Sequence, residues 1–241
     1  MGVENNIPEG WMETTLGEIA LIGSSKRIFF SEYVDKGIPF YRSKEIIQKQ
    51  KGNNISTELF ITEEKYDNLK KNFGAPQEND ILLTSVGTLG IPYRVKKDEI
   101  FYFKDGNLTW FRDYQNIESA FLYNWFLSSN GKHQLNKITI GSTQSAITIS
   151  GLKSIEILLP PINEQIEITN LINAFDEKIE LLQAQNKTLE TMAQTIFKEW
   201  FGKYQVGDEL PEGWKVGKLG DIAKHVKNNI KPFNNPNKLY H

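Results

Sequence analysis

The chain has 241 residues, a hydrophobic fraction of 39%, no cysteine and a formal net charge of −2. This length and apolar content support one or two domains with a buried core, whereas the lack of cysteine excludes a disulfide framework and a thiolate metal site. No apolar stretch approaches the ~20 residues that a membrane-spanning helix needs, and residues 1–10 lack the basic start and apolar run of a signal peptide. We therefore expect a cytoplasmic protein.

The charges are unevenly distributed along the chain. Residues 23–158 carry 18 Lys and Arg against 15 Asp and Glu, a net of +3, whereas residues 163–203 carry 4 against 7, a net of −3. A mildly basic part is thus followed by an acidic part. This order permits contacts between the first part and phosphate groups.

A short segment near the start of the chain occurs a second time near its end. Pro8–Trp11 reads PEGW and returns at Pro211–Trp214, and Leu16–Ala20 reads LGEIA and returns as LGDIA at Leu219–Ala223. The offset is constant, since 211 − 8 and 219 − 16 both equal 203. The repeat predicts one structural unit over about 7–206, followed by the start of another. The alternative is a pair of similar surface turns.

Residues 1–160 combine short strands with short helices. Runs rich in β-branched and aromatic residues predict strands at 38–41, 80–86, 91–95, 100–103, 108–112 and 155–159. Helical patterns occupy 62–69, with Thr62 as the N-cap, and 117–128. Because the strands are short and irregularly spaced, we expect an α+β fold with a curled β-sheet and flanking helices, not alternating βαβ units.

A long helix is predicted after the prolines at 160 and 161, which cannot continue a sheet ladder. No Gly or Pro occurs from Ile162 to Phe201. Asn163 is the predicted N-cap and Gly202 the predicted stop. Such a helix spans about 58 Å at the helical rise of ~1.5 Å per residue, whereas the mean globular helix has about 12 residues.

Apolar residues recur along this helix at alternating intervals of four and three, a spacing typical of a coiled-coil seam. The seam consists of Ile168, Ile172, Phe175, Ile179, Leu182, Asn186, Leu189, Ala193, Ile196 and Trp200. Its polar member, Asn186, would fix register and partner number at some cost in stability. We expect the helix to form a dimer with the same helix of a second copy. The alternative is a helix that lies along its own domain.

Several stretches of the chain resemble the specificity subunits of Type I restriction–modification enzymes. They are residues 8–19, 37–42, 79–90, 141–147 and 159–165, the last of which leads into the long helix. Their order and spacing are specific in combination, and the resemblance covers nearly the whole chain.

The resemblance implies a domain organisation. Residues 1–160 are expected to form a target recognition domain, residues 161–203 a conserved coiled-coil helix for dimerisation and spacing, and residues 204–241 the start of a second, truncated recognition repeat. Full-length family members carry two recognition domains and two antiparallel helices that set the distance between them. This chain has one complete half, so we expect a half-length subunit. A natural half-subunit, a truncated reading frame and a fragment are all open interpretations.

The same resemblance implies a function. The chain is expected to read one half of a split double-stranded DNA site, about 3–4 base pairs, and to direct modification (methyltransferase) and restriction (motor-nuclease) subunits, with no membrane partner. In the alternative interpretation the helix docks partner proteins and the domain never touches DNA. The salt dependence of DNA affinity separates the two, because DNA binding releases counterions.

Catalytic motifs are lacking in the sequence. It contains no Walker loop, no Gly-x-Gly-x-x-Gly and no Asn-Pro-Pro-Phe/Tyr tetrad, and its three histidines have no ligand spacing. We therefore expect a non-catalytic subunit with no metal and no cofactor.

Residues suited to DNA recognition are more numerous. Arginine reads guanine, amides read adenine, and Lys, hydroxyl and backbone N–H groups hold phosphates. Three stretches stand out: a loop after residue 41, the Gly-rich turn at 85–90, where a backbone can approach a phosphate closely, and the polar loop at 140–145. The candidate DNA-binding residues are Arg42, Ser43, Lys44, Thr84, Ser85, Gly87, Thr88, Gly90, Asn107, Arg112, Lys137, Gly141, Ser142, Thr143 and Gln144.

Overall fold

The computed structural model describes residues 7–53, 55, 57–141 and 145–223. These residues divide into two units whose boundary in the sequence lies between Glu177 and Lys178. The first unit combines short strands with short helices, and the second contains the later part of a long helix and one further helical turn.

Strands and helices alternate irregularly along the first unit. The strands are β1 (Met12–Thr15), β2 (Leu21–Gly23), β3 (Ile38–Tyr41), β4 (Phe60–Ile61), β5 (Ile81–Thr84), β6 (Pro92–Arg94), β7 (Tyr102–Phe103), β8 (Leu108–Arg112), β9 (Thr139–Ile140), β10 (Ala146–Ile147) and β11 (Glu156–Leu159). The helices are α1 (Leu16–Ile19), α2 (Ser43–Gln50), α3 (Glu63–Phe73), α4 (Ser119–Leu127), α5 (Ser129–Lys137), α6 (Ile149–Lys153), α7 (Ile162–Phe201) and α8 (Leu219–Ile222), and a 3-10 turn occupies Phe30–Glu32.

The described strands form four small sheets. The largest has four antiparallel strands in the order β2-β8-β5-β6. In the second, β3 pairs antiparallel with β4 and parallel with β7. Two-stranded antiparallel sheets join β1 to β11 and β9 to β10. The α+β class with a long helix is confirmed, and the β structure is divided among these four sheets.

The four-stranded sheet is buried on both faces. On one face Ile81, Leu83 and Phe111 pack with residues of α1 and α4, and on the other face Leu82 and Trp110 pack with a separate aromatic cluster. Because successive strand residues point to opposite faces, this alternation places β5 between two cores. The sheet therefore holds the turns at its ends on a rigid base.

Most of the predicted elements occur where the sequence placed them. Strands β3 and β8 have the predicted bounds, Thr62 caps α3 by accepting a hydrogen bond from the Lys65 N–H at 3.1 Å, and the Gly202 N–H donates to the Lys198 carbonyl at 2.9 Å where α7 ends. The N-cap assigned to Asn163 is wrong, because α7 already includes Ile162. The helix begins directly after Pro161, whose carbonyl accepts a hydrogen bond from the Gln165 N–H at 3.0 Å.

The loop predicted after residue 41 is also wrong. Arg42 is the N-cap of a helix, α2, and Ser43 and Lys44 form its first turn. Glu45, three residues after the cap, accepts from the Arg42 N–H at 2.9 Å and satisfies a backbone donor that the helix leaves free. This capping pattern begins with arginine in place of Ser or Thr, which is why the sequence did not indicate a helix.

The start of α7 is fixed to the first unit by a buried amide. Gln165 is fully buried, and its Oε1 accepts from the Glu118 N–H at 2.9 Å. Its Nε2 donates to the carbonyls of Asn116 at 3.1 Å and Pro160 at 2.9 Å. A single side chain thus satisfies three buried backbone groups and ties the helix to the turn before α4.

Replacement of Gln165 by alanine is expected to be strongly destabilising. The change leaves three backbone groups without their partner, and each unsatisfied buried group costs about 1–3 kcal/mol. We expect a loss of about 3 kcal/mol in the free energy of unfolding, measured by urea denaturation. The matched control is Glu167→Ala at an exposed position two residues further along the same helix, which should change stability by less than about 0.5 kcal/mol. Equal effects of the two substitutions would contradict the anchoring role.

A buried carboxylate under the central sheet gives a pH-dependent signature. Asp80 accepts from the Trp110 Nε1 at 2.7 Å and from the Gln77 N–H at 2.9 Å, and burial raises its pKa to about 6 from an ordinary 3.8. Between these two pH values the folded chain holds a proton that the unfolded chain has released. The stability that protonated Asp80 gives the folded chain is therefore complete below about pH 4 and is lost as the pH rises through 6.

The Asp80→Asn variant is expected to lose this dependence. An amide oxygen can still accept from Trp110, and no charge is buried at neutral pH. The variant should gain up to about 3 kcal/mol of stability relative to the natural chain as the pH rises from 4 to 7.5, since one pKa unit corresponds to about 1.4 kcal/mol. Urea titrations of both proteins across this range measure the difference. A difference that is constant with pH would contradict the assignment.

Candidate nucleic-acid interface

The first candidate residues lie at the start of α2, where Arg42 pairs with a buried carboxylate. Its Nη2 donates to the Glu45 Oε1 at 2.8 Å and its Nε to Oε2 at 3.3 Å. The Glu45 side chain is fully buried, whereas that of Arg42 is one-third exposed (33%). Arg42 therefore has a structural role, and only part of its guanidinium is open to a ligand.

The Arg42–Glu45 pair sets the charge of both groups. Burial by itself would raise the pKa of Glu45, but the hydrogen bonds from Arg42 outweigh it and hold that pKa below the ordinary value. The hydrogen bonds to Glu45 likewise raise the pKa of Arg42. Both groups are charged at neutral pH, and the pair presents little net charge to solvent.

Three chain segments meet at the carbonyl of Asn107. It accepts from the Ser85 N–H at 2.8 Å, at the end of β5, and from the Ser43 Oγ at 3.3 Å, at the start of α2. The Ser85 carbonyl in turn accepts from the Ile147 N–H at 2.9 Å, which joins the β9–β10 hairpin to the same place. Candidate residues that are far apart in sequence are thereby brought together.

The turn between β5 and β6 presents its tip but not its base. Gly87 and Thr88 are exposed, and Gly87 has a φ of +81° with no heavy atom within 4 Å of where a Cβ would be. Thr84 and Ser85 are buried: the Thr84 Oγ1 accepts from a backbone N–H and the Ser85 Oγ bonds to Thr109 at 2.6 Å. Both hydroxyls are buried as well as bonded within the fold, so they are not available to DNA.

Gly90 ends this turn against helix α5. Its φ is +72°, its N–H donates to the Thr84 carbonyl at 2.8 Å, and a Cβ there would lie 3.0 Å from the Leu135 side chain. Gly90 is therefore required for the close approach of turn and helix. Lys137, the last residue of α5, is exposed and lies two residues before the start of β9.

The β9–β10 hairpin supplies the remaining candidates of this group. Gly141 is exposed and has a φ of +93°. The candidates Ser142, Thr143 and Gln144 lie outside the described residues. The hairpin stem is fixed to the β5–β6 turn by the bridge between Val86 and Ala146.

We call the exposed or half-buried residues of this cluster the loop surface. It consists of Arg42, Ser43, Lys44, Gly87, Thr88, Gly90, Asn107, Lys137 and Gly141. Lys44 and Lys137 are its exposed cations. Backbone groups held near glycine, hydroxyls, one amide and these cations are the groups with which proteins contact DNA phosphates and bases.

Arg112 is not part of the loop surface. It lies at the opposite end of β8 from Asn107, about 17 Å along the strand. Its guanidinium stacks on the Trp110 ring at 3.9 Å, and its Nη1 donates to the Phe73 carbonyl at 3.3 Å. These contacts give Arg112 a packing role that the sequence did not indicate.

The second candidate interface is the seam of α7. Ile168 and Ile172, near the start of the helix, are partly buried in the first unit. From Phe175 to Trp200 every described seam residue is exposed, for example Phe175 at 63%, Leu189 at 62% and Trp200 at 68%. Leu171, Leu181, Met192 and Phe197 are also exposed and lie outside the seam.

Two features are absent from the described residues. They contain no helix that is long and apolar enough to cross a membrane. In the same part of the chain, no group of three or more His, Cys, Asp or Glu side chains could hold a metal ion.

Comparison with known proteins adds family information. A family model described as the Type I restriction modification DNA specificity domain matches residues 8–191. The chain is similar to the MjaIX specificity subunit of a Type I restriction enzyme from Methanocaldococcus jannaschii, with 28% identity over 90% of this chain and 52% of that protein. The chain spans about half the length of the curated relatives it matches.

Solved structures share the fold. An HsdS subunit from Thermoanaerobacter tengcongensis superimposes with a TM-score of 0.56 at 19% identity. The match covers 83% of this chain and 47% of the HsdS chain. A chain from a study of complex assembly and conformational transition of the type I R-M system gives a TM-score of 0.57 at 19% identity, over 81% of this chain and 46% of that one.

Proposed function

Because the chain belongs to the Type I restriction–modification DNA specificity family, we propose that it is the DNA-recognition subunit of such a system. Its first unit binds one half of a split double-stranded DNA site, and the chain itself carries out no catalysis. We place this role in the cytoplasm, where the DNA of a prokaryotic cell lies.

The observation that carries this proposal is the loop surface. Four separate segments meet through the contacts at Asn107 and Ser85, and these segments carry exposed or half-buried backbone, hydroxyl, amide and ammonium groups. The base below them is a sheet buried on both faces, so the groups are presented on a rigid support. Preorganised polar groups of this kind suit recognition of a nucleic acid, whose phosphates position the protein and whose bases give specificity.

The exposed seam supports a second part of the proposal, a homodimer. Apolar side chains of this size, repeated at heptad spacing along ~40 Å of helix, are buried in a partner helix when coiled coils form. Two copies related by a two-fold axis would present two identical recognition domains at a fixed distance and would read inverted half-sites.

The domain division follows from these two interfaces. Residues 1–160 act as the target recognition domain, 161–203 as the dimerisation and spacing helix, and 204–241 as the start of a second recognition repeat. The specificity dimer would direct modification (methyltransferase) and restriction (motor-nuclease) subunits to its DNA site. The exposed apolar residues outside the seam, such as Leu171 and Leu181, are available to those subunits.

Removal of the two exposed cations tests DNA binding by the loop surface. We expect Lys44→Ala with Lys137→Ala to lower DNA affinity about equally for all sequences and to reduce the slope of log K against log salt concentration by about two, since each phosphate contact contributes about 0.9. Fluorescence anisotropy with labelled duplexes at 50–200 mM salt measures both quantities.

The control for this measurement is the pair Lys70→Ala and Lys71→Ala, two cations on α3 outside the loop surface. We expect an unchanged slope for the control. DNA binding that is independent of salt, or an equal loss of slope in both double variants, would contradict the proposed interface. Salt independence would favour a protein-docking role.

A further inference from the structure

The repeated segments at the two ends of the chain fold in the same way. We call residues 8–20 the first opening and residues 211–223 the second opening. The Trp11 N–H donates to the Pro8 carbonyl at 3.1 Å, and the Trp214 N–H donates to the Pro211 carbonyl at 3.0 Å. Gly10 and Gly213 have φ values of +82° and +85°. The repeat is therefore one of structure as well as of sequence.

The helical turns of the two openings are also capped alike. In α1 the Glu18 carboxylate accepts from the Thr15 N–H at 2.9 Å, and in α8 the Asp221 carboxylate accepts from the Lys218 N–H at 2.8 Å. Both turns are four residues long. The two openings therefore share their capping as well as their Pro-Gly turn.

The openings differ in burial. In the first opening Leu16 and Ile19 are buried, with exposures of 0% and 3%. Their counterparts in the second opening, Leu219 and Ile222, are exposed by 77% and 85%. The second opening therefore exposes to solvent the two apolar side chains whose counterparts in the first opening are packed in a core.

The first opening occupies a defined cleft in the first unit. Strand β1 pairs antiparallel with β11, and the Leu16 N–H donates to the Ile155 carbonyl at 2.9 Å. The Trp11 Nε1 donates to the Glu164 carboxylate at 3.1 Å, at the start of α7. We call the site made by β11, Lys153, Pro161 and Glu164 the opening cleft.

Two glycines of the first opening are needed for its close contact with the cleft. A Cβ at Gly10 would lie 3.3 Å from the Pro161 ring, and a Cβ at Gly17 would lie 3.0 Å from the Lys153 carbonyl. The second opening keeps both glycines, at Gly213 and Gly220, where a Cβ would meet no atom within 4 Å. The positive φ of Gly213 requires glycine by itself, whereas Gly220 meets no such requirement in its own surroundings, so retention of Gly220 fits packing in such a cleft.

At two of the four paired positions the second opening would form better cross-strand pairs with β11, whereas Lys215 and Gly217 would replace Met12 and Thr14 at the other two. In the observed register Glu13 lies opposite the half-exposed Leu158, and Thr15 lies opposite Glu156. With the offset of 203, Val216 would replace Glu13 and Lys218 would replace Thr15. An apolar pair and an ion pair would result, each more favourable than the pair that it replaces.

The charge beside this strand favours the same exchange. A cavity of about 450 Å³ next to β1 is lined by three carboxylates, those of Glu13, Glu18 and Glu156, and by no Lys or Arg. The second opening would remove one carboxylate and add an ammonium group at this place. Like charges in one cavity repel, so the exchange relieves repulsion that the first opening creates.

From these observations we propose that the second opening binds the opening cleft of a second copy of this chain. Trp214 takes the place of Trp11 at Glu164, residues 215–218 pair with β11, and Leu219 and Ile222 fill the sites of Leu16 and Ile19. The first opening of the receiving copy leaves the cleft. This exchange is a contact between copies that is separate from pairing of the seams.

A cysteine pair placed by the β1–β11 register tests the exchange, because the natural chain has no cysteine. Val216→Cys with Leu158→Cys is expected to give a disulfide-linked dimer on oxidation, since cross-strand neighbours lie within disulfide range. Both positions are exposed, so the substitutions leave the core intact. Non-reducing gel electrophoresis measures the dimer yield.

Two control pairs separate this contact from chance proximity. Glu13→Cys with Leu158→Cys should stay monomeric on the gel, because the first opening pairs with β11 of its own chain only and leaves that strand on exchange. Val216→Cys with Glu156→Cys, two residues out of register on the same face of β11, should give about fivefold less dimer than the pair in register. Adding Trp11→Ala to the pair in register should raise the dimer yield, because the first opening then loses its bond to Glu164.

Three results would overturn the exchange: no dimer from the pair in register, equal dimer from the pair out of register, or a link within one chain. Light scattering without oxidation then shows whether the seams still pair. A chain that fails the cysteine test yet remains dimeric rejects the exchange alone and leaves the proposed function standing.

Discussion

A chain with Leu182→Glu and Leu189→Glu is expected to be a monomer at concentrations where the natural chain is a dimer. Both side chains are exposed in the single chain and lie one heptad apart on the seam. Each buried leucine contributes about 1.5–3 kcal/mol, and a dimer loses four of them. The dissociation constant should therefore rise by at least about 10⁴-fold, since 1.4 kcal/mol corresponds to a factor of ten.

Size-exclusion chromatography with light scattering at tens of micromolar measures this change. The matched control carries Ala184→Glu and Thr191→Glu, which add the same two charges seven residues apart on the opposite, exposed side of the helix. We expect the control to remain dimeric. A natural chain that is strictly monomeric, or a control that dissociates as readily as the seam variant, would rule out pairing through the seam.

The second large effect is expected from Arg42→Ala. This substitution leaves the fully buried Glu45 carboxylate without its cation, and loss of one partner of a buried pair costs about 3–5 kcal/mol. Because the Arg42 side chain is one-third exposed, water screens part of the ion-pair interaction. We therefore expect the free energy of unfolding to fall by about 3 kcal/mol. The melting temperature should fall by roughly 6–12 °C, a size expected for a chain of this length.

A second substitution separates the structural role of Arg42 from its role in DNA binding. Glu45→Gln keeps an acceptor for the Arg42 N–H and removes the buried charge, so the Arg42→Ala, Glu45→Gln chain should recover most of the lost stability. DNA affinity measured on this double variant reports contact between Arg42 and DNA. If Arg42→Ala alone melts at the natural temperature, the buried pair does not stabilise the fold.

The Arg42→Ala variant and the seam variant together distinguish the two proposed interfaces. We expect Arg42→Ala to weaken DNA binding and to leave the dimer intact, and we expect the seam variant to lose the dimer. Loss of the dimer in the Arg42 variant, together with a dimeric seam variant, would reject the division between a DNA-binding domain and a pairing helix.

Features set by neighbouring residues could be predicted from the sequence. The heptad spacing of α7, the Thr62 cap and the Gly202 stop depend on residues within a few positions of one another. The repeat of the openings was readable because its offset is constant. These local signals were enough to indicate the α+β class and the long helix.

Features set by contacts between distant residues could not be predicted. The Ser85 hydroxyl is buried because of Thr109, 24 residues later, and Arg112 is occupied by Trp110 and by the Phe73 carbonyl. The sequence predicts Gln165 to be a surface residue of the long helix, yet its side chain forms hydrogen bonds to the turn before α4. A polar residue in a Gly-rich or charged stretch suggests an open loop until its tertiary partner is known.

The arrangement of the candidate site shows the same division. The sequence indicated the Gly-rich turn and the polar hairpin, because Gly87 and Gly141 occur in stretches of small residues. It gave no sign that Ser43 and Ser85 share the carbonyl of Asn107, since that contact depends on sheet order. The loop surface is thus a product of topology acting on locally recognisable turns.

We propose above all that two copies, joined through their helices, present two DNA-binding domains at a fixed distance. Selection of bound oligonucleotides from a random duplex library, with the chain and modification subunits present, tests it most directly. We expect two inverted copies of one half-site separated by a constant number of base pairs. A single unpaired half-site, or half-sites at variable separation, would contradict it.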